Sequence, residues 1–436
     1  MQKKHLSRYW LIIGVAALAV AGLYSLVLAG GRSPKLGESS LLHRLFHEAL
    51  VVHVDLSVLV WFLAIACLMW SLMSRGTKTI IPYVEEAALI SFALGALAIT
   101  LSPFDSSGEA LMSNYIPVIH NPIFFMGLMM VLCGAMLMAF KGLMVATRSS
   151  YFTKTQQFAL YAASFITLIA LLCFCWSYYQ IPPIIDGQQY YEMLFWGGGH
   201  VLQFTHVQVM MVSWMLLIAT LKPDFKIQRS WLFVLFSIGL LAALSAPFPY
   251  IFYDITTSAH REFFTQQMIY AGGIAPVFLA LMLLPPLSQT RRRNALWSAL
   301  LMSIVLFLYG GALGGMIQGQ NVVIPAHYHG SIVGVTLAFM GAAYLLLPKL
   351  GYRDVAHDRL AFWQPIIYGA GQIMHVTGFA WSGGYGALRK TPGMPLDEKA
   401  RIAMGLMGGG AGLAAIGGLI FVIVIFKAMG KSQKPA

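Results

Sequence analysis

Twelve runs of apolar residues, each long enough to cross a lipid bilayer as a helix, make up most of this chain. They cover 9–29, 47–72, 84–102, 118–140, 157–178, 193–220, 231–251, 262–286, 295–318, 323–348, 361–383 and 402–427. A hydrocarbon core about 30 Å thick needs about 20 such residues at 1.5 Å rise each. Backbone groups in hydrocarbon must satisfy one another, so apolar runs of this length fold as helices. The connections are too short for a soluble domain, and residues 1–436 read as one polytopic membrane domain. Only 10% of the residues are charged, against about 25% in a soluble chain. The net charge of +12 gathers in no compact soluble region, so nucleic acid is not an expected partner. The first apolar run follows a basic start but is too long for the core of a signal peptide, and it reads as a retained first helix.

Lys and Arg set the expected orientation, because they concentrate in cytoplasmic loops. With the N-terminus inside, twenty of the 28 fall in inner segments and eight in outer ones. A missed or extra span would scramble that alternation. The expected fold is therefore an all-α integral membrane bundle of twelve helices with both termini cytoplasmic. Cys67, Cys133, Cys173 and Cys175 all lie within apolar runs. They read as small core residues, not a disulfide framework. Met residues are spread through the spans and read as gap-fillers, whereas Tyr115, Tyr190, Tyr191 and Trp196 suit an interfacial aromatic belt.

The histidines are less evenly spread. His5 and His357 fall in inner loops, and His206 and His375 in mid-helix. The other eight (His43, His47, His53, His120, His200, His260, His327, His329) lie towards the outer face. Polar side chains within a span are costly and mark function. His53, His200 and His329 each sit about six or seven residues into a helix that runs inward, hence roughly 9–10 Å below the outer ends. His327 and His329 differ by about 200° around one helix, so they face two different partners. Imidazole is a common axial ligand of haem iron. The plainer alternative is one interhelical hydrogen bond per histidine.

These residues resemble subunit I of the haem-copper oxidase superfamily, which includes cytochrome c oxidases and nitric oxide reductases. The likeness covers most of the chain. The stretch AHYHG in the tenth span is similar to the family's His-x-His, and implies His327 on a high-spin haem and His329 on a low-spin haem. VVHVDLSVLVWFL in the second span is similar to the helix that closes the low-spin pair, which implies His53. WGGGHVLQF resembles the family's Trp-Gly-x-x-His, whose histidine carries a second metal, which implies His200. GALRKTPGMP, before the last span, resembles the basic pair that binds haem propionates, which implies Arg389 and Lys390. QIMHVTGF around His375 also resembles a family stretch.

The second-metal half of the resemblance is incomplete. The family's adjacent His-His at the end of the seventh span is absent, and Pro249 and Tyr250 stand in its place. Phe204 occupies the position of an active-site tyrosine found in some members, and the eighth span lacks the family's lysine. His206 follows His200 by about 240°, so one helix does not aim both at one ion. His120, His206 and His260 are the remaining candidates for an unusual site, and Tyr250 is the candidate catalytic side chain. Near the spans, acidic residues are few: chiefly Asp55, Glu85 and Glu86. Small-residue stretches at 406–418 read as helix packing, and WGGGH as room for a haem plane.

The resemblance implies a membrane oxidoreductase with two haems of b type and copper or non-haem iron in question. Electrons would arrive on the outer side from a cytochrome c or a second subunit, and O2 or NO would be reduced. A non-enzymatic haem protein (electron carrier, gas sensor or haem handler) is the alternative. The expected location is a bacterial inner membrane.

Overall fold

The computed structural model describes residues 6–31, 45–74, 83–105, 108–144, 151–317, 322–384 and 398–430. The helices, in chain order, are α1 Ser7–Gly31, α2 Phe46–Met73, α3 Val84–Leu101, α4 Pro122–Met144, α5 Lys154–Gln180 and α6 Gly187–Leu221. They continue as α7 Arg229–Phe252, α8 Ser258–Ser288, α9 Ala295–Gly314, α10 Val323–Leu346, α11 Arg359–Gly384 and α12 Glu398–Met429. Among the described residues, eleven helices are long and apolar enough to cross a membrane. The segment outside that set is α11, which is helical over 26 residues but carries Gln364, Gln372, His375, Thr377 and Ser382. These polar groups are used inside the protein. Gln364 is fully buried and its Oε1 accepts from the Tyr344 hydroxyl at 2.9 Å.

The fourth helix starts later than its apolar run. Val118–Ile119 forms a short strand, β2, antiparallel to β1 Ala110–Leu111. Asn121 then accepts from the Phe124 amide at 2.8 Å, and the helix opens at Pro122. This is N-capping with proline in the first turn, which overrides hydrophobicity as the start signal. At α5 a capping box does the same work, with Thr153 and Gln156 bonded reciprocally. Two helices carry π turns: α2 over Asp55–Val60 and α8 over Met268–Gly272.

The chain divides into two compact units, one of residues 1–212 with 227–278 and the other of 213–226 with 279–436. In the first unit, Gly95 and Gly127 bring α3 and α4 into backbone contact: a Cβ on Gly127 would lie 2.8 Å from the Gly95 carbonyl oxygen. A buried polar chain ties four helices together. The Ser7 and Ser71 hydroxyls share a hydrogen bond of 2.7 Å, Ser71 donates to Glu85, and Lys141 closes an ion pair on Glu85. In the second unit, α11 packs along α12 and α9 along α10. Among the described residues no disulfide forms. Cys67 and Cys173 are buried, as expected of core residues, but Cys133 and Cys175 are exposed. Those two sit on outward helix faces, which an all-apolar run does not distinguish from inward ones.

Candidate functional site

The His327 ring depends on two glycine contacts. Gly310 and Gly330 press α9 against α10 so closely that a Cβ on Gly330 would lie 2.6 Å from the Gly310 Cα. That approach puts the Gly310 carbonyl 2.7 Å from His327 Nδ1. A turn further along α9, a Cβ on Gly314 would lie 2.7 Å from the same nitrogen, so Gly314 cradles the ring. A carbonyl only accepts, so Nδ1–H donates and Nε2 carries the lone pair. This is the tautomer that metal-ligating imidazoles adopt.

His329 and His375 repeat the arrangement. His329 Nδ1–H donates to the Pro325 carbonyl at 2.9 Å, one turn back in its own helix. His375 Nδ1–H donates to the Met407 carbonyl at 2.9 Å. The latter bond needs α11 and α12 in backbone contact, which Gly371, Gly378 and Gly410 allow. The two rings lie 5.2 Å apart, with Phe379 against both. Beneath them, Leu313, Ala326 and Val376 form a buried apolar cluster. Sequence had placed His375 only as a mid-helix histidine in a family-like stretch; the structure sets it beside His329. In the first unit, His53 Nδ1–H donates to the Ala21 carbonyl of α1 at 2.8 Å, so its Nε2 also carries the lone pair. The π turn begins two residues later, at a position where such turns often mark functional sites.

His200 is bonded differently. Its Nδ1–H donates to the Trp196 carbonyl at 2.8 Å, and Nε2 meets the Tyr115 hydroxyl at 2.8 Å. With the proton on Nδ1, the phenol is the donor and the imidazole lone pair is taken. Burial, and secondarily the Glu192 carboxylate, push the Tyr115 hydroxyl well above its ordinary pKa, so it keeps the proton it donates. Tyr115, Trp196 and Phe264 surround the ring. The run WGGGH is not an opening for a haem plane: Gly197 lies against Tyr250 and Phe264, Gly198 against Phe174 and the α5 backbone, and Gly199 against Tyr115. Small residues here admit the protein's own side chains.

Tyr250 is 3% exposed. It donates to the Cys173 carbonyl at 3.2 Å and its hydroxyl pairs with that of Ser177 at 2.9 Å. Trp176 stacks on it. His260 packs on Tyr250 and Phe264, His206 on Phe62, and exposed His120 beside Phe125 and Tyr191. Among the described residues, no three His, Cys, Asp or Glu side chains come together as a metal site. Arg389 and Lys390 lie outside the described residues. Of the small-residue stretch in α12, Gly410 and Gly417 pack on α11, while Gly405, Gly408, Gly409 and Gly412 face open space among the described residues.

The sequence reading missed three contributors. Tyr115 was assigned to an interfacial belt, and nothing local ties it to a histidine 85 residues away. Gly310 and Gly314 were legible as a small-xxx-small pair, but only the structure shows that they hold the His327 ring.

A helical membrane protein with backbone-anchored imidazoles in its second unit is the class that fold and site define. The chain matches the family model described as cytochrome c and quinol oxidase polypeptide I over residues 5–420. It belongs to that family, which implies haem cofactors. It is similar to an uncharacterized protein of Rickettsia prowazekii (strain Madrid E), 31% identical over 97% of this chain and 96% of that one. An uncharacterized protein of Aquifex aeolicus (strain VF5) is 26% identical, over 79% and 85%. The fold matches a solved heme-copper terminal oxidase dimer at a TM-score of 0.74 and 17% identity, covering 100% of this chain and 86% of that one.

Proposed function

We propose that this chain is a haem-bearing oxidoreductase of a bacterial inner membrane, one polytopic domain over 1–436. In this reading His53 and His329 are the axial ligands of a low-spin b-type haem and His327 the ligand of a high-spin one. Arg389 and Lys390 meet the propionates. Electrons enter on the outer side from a cytochrome c or a second subunit and pass to the His327 haem, where O2 or NO is reduced. The observation that carries this reading is the shared tautomer: His53, His327 and His329 each donate Nδ1–H to a backbone carbonyl, leaving Nε2 the more basic, ligating nitrogen. When bound, haem supplies one-electron chemistry and an open iron position for a diatomic gas. The chain's own part is to orient the rings, through Ala21, Gly310 and Pro325, and to fix their protons.

A second reading, in which the protein carries electrons or senses a gas without turning it over, is favoured by the bond between Tyr115 and His200. Reduced-minus-oxidised and carbon monoxide difference spectra on purified protein test the first. Two haems are expected, with carbon monoxide binding one. A preparation with no haem absorbance overturns both readings.

A further inference from the structure

Subunit I of the family carries a second metal beside the high-spin haem, and the resemblance assigns one of its ligands to His200. The residues present do not fit that metal. A metal would need the Nε2 lone pair, and the Tyr115 hydroxyl already takes it at 2.8 Å. It would need further donors, and the seventh helix offers Pro249 and Tyr250 where the family has two imidazoles. The Tyr250 hydroxyl is turned to Ser177 and the Cys173 carbonyl of α5. His260, the nearest other imidazole, lies with its ring 4.8 Å from that of Tyr250 and packed on Phe264. Copper held in a membrane by one imidazole lacks the ligand set such sites use.

The space is filled as well as the bonds. A Cβ on Gly197 would lie 2.8 Å from Phe264 and closer still to the Tyr250 hydroxyl, and one on Gly199 would meet the Tyr115 ring. Three consecutive glycines on α6 thus accommodate aromatic rings at the position where a metal would otherwise sit. His200 and Tyr250 are both buried, so this is a packed interior rather than a collapsed surface.

We infer that the second-metal position of this chain is occupied by its own side chains, with Tyr115 as the permanent hydrogen-bond partner of His200 and no copper or non-haem iron bound there. The inference rests on first-unit residues alone and does not need the haem assignment. His200 is then a positioning residue for the Tyr115 segment, and Tyr115 a plug.

Metal analysis tests this on the full-length protein, purified from cells supplied with copper and iron, then incubated with Cu(I) or Fe(II) and desalted. Copper and non-haem iron are expected below about one tenth per chain, in wild type and in His200→Gln alike. About one equivalent in wild type, lost in His200→Gln, overturns the inference. One equivalent retained in His200→Gln places a metal elsewhere and leaves the Tyr115–His200 pair standing. A second measurement guards against misfolding. In thermal unfolding without added metal, Tyr115→Phe and His200→Gln each lower Tm, and the double variant falls no further than the worse single, because each removes the same bond. Additive losses overturn the pairing. The haem spectrum of the same samples reports separately on the two-haem reading, so failure of one is not mistaken for failure of the other.

Discussion

His327 in the second unit and His200 in the first sit in similar sequence surroundings: an apolar helix, small neighbours and an anchored Nδ1. They differ at one atom. Nδ1 of His327 is bonded to the Gly310 carbonyl, and its ring rests on Gly314. His200 has a carbonyl on Nδ1 and a phenol on Nε2. A histidine in a family motif is therefore not yet a ligand. What decides is whether the rest of the protein leaves the lone pair unclaimed, and that is settled by residues far away in sequence.

The largest contrast is expected from replacing the two histidines. His327→Ala should abolish the carbon monoxide difference spectrum, while His200→Gln should leave both haem bands intact. Loss of the carbon monoxide signal in the second variant, with expression unchanged, would erase the distinction. Next comes the polar chain that holds the first unit together. Lys141→Met leaves the buried Glu85 carboxylate without its cation, and should lower stability by about 3–5 kcal/mol, read from unfolding in detergent. Restoring most of that with Glu85→Gln in the same chain would confirm the cause.

The glycines give a smaller, sharper test. Gly314→Ala puts a methyl 2.7 Å from His327 Nδ1; the ring must move, and the high-spin haem should bind carbon monoxide less completely. Gly199→Ala overpacks against Tyr115 and should lower stability by about 1–3 kcal/mol with the haem spectrum unchanged. If both act only on stability, the cradle has no functional part. The smallest effect lies outside both regions, at the start of α11. Burial alone would raise the Asp358 pKa, but the Arg353 hydrogen bond and charge and the Leu360 amide outweigh it and hold it below the ordinary value. Its contribution is thus complete at neutral pH and disappears as the pH falls through that lowered value. Asp358→Asn should lose about 0.5–1 kcal/mol at pH 7 and almost nothing in acid.

Much of the architecture was legible because bilayer thickness fixes helix length. The runs found in sequence coincide with helices except where a cap intervenes, as Asn121 does before α4. The polar α11 shows the converse: a helix whose side chains serve internal bonds gives a weak apolar signal. At the site, the histidines were legible because imidazole is rare in hydrocarbon. Their partners were not, since Ala21, Gly310 and Met407 act through backbone carbonyls that no side chain announces. Tyr115 was hidden for another reason: its role comes from a loop folding back over α6, and tyrosines near helix ends are common.

The π turn after His53 carries a consequence for how this segment tolerates change. Such a turn holds one more residue than the α-helix it interrupts. Deleting any single residue between Asp55 and Val60 would convert it to regular helix. The span would remain ample in length, and the hydropathy profile would hardly alter. Yet everything before the deletion would turn by about 100° about the axis relative to Trp61–Met73, carrying the His53 ring away from the Ala21 carbonyl. A one-codon loss here would thus read as harmless in any profile of the membrane segments while silently disconnecting an imidazole.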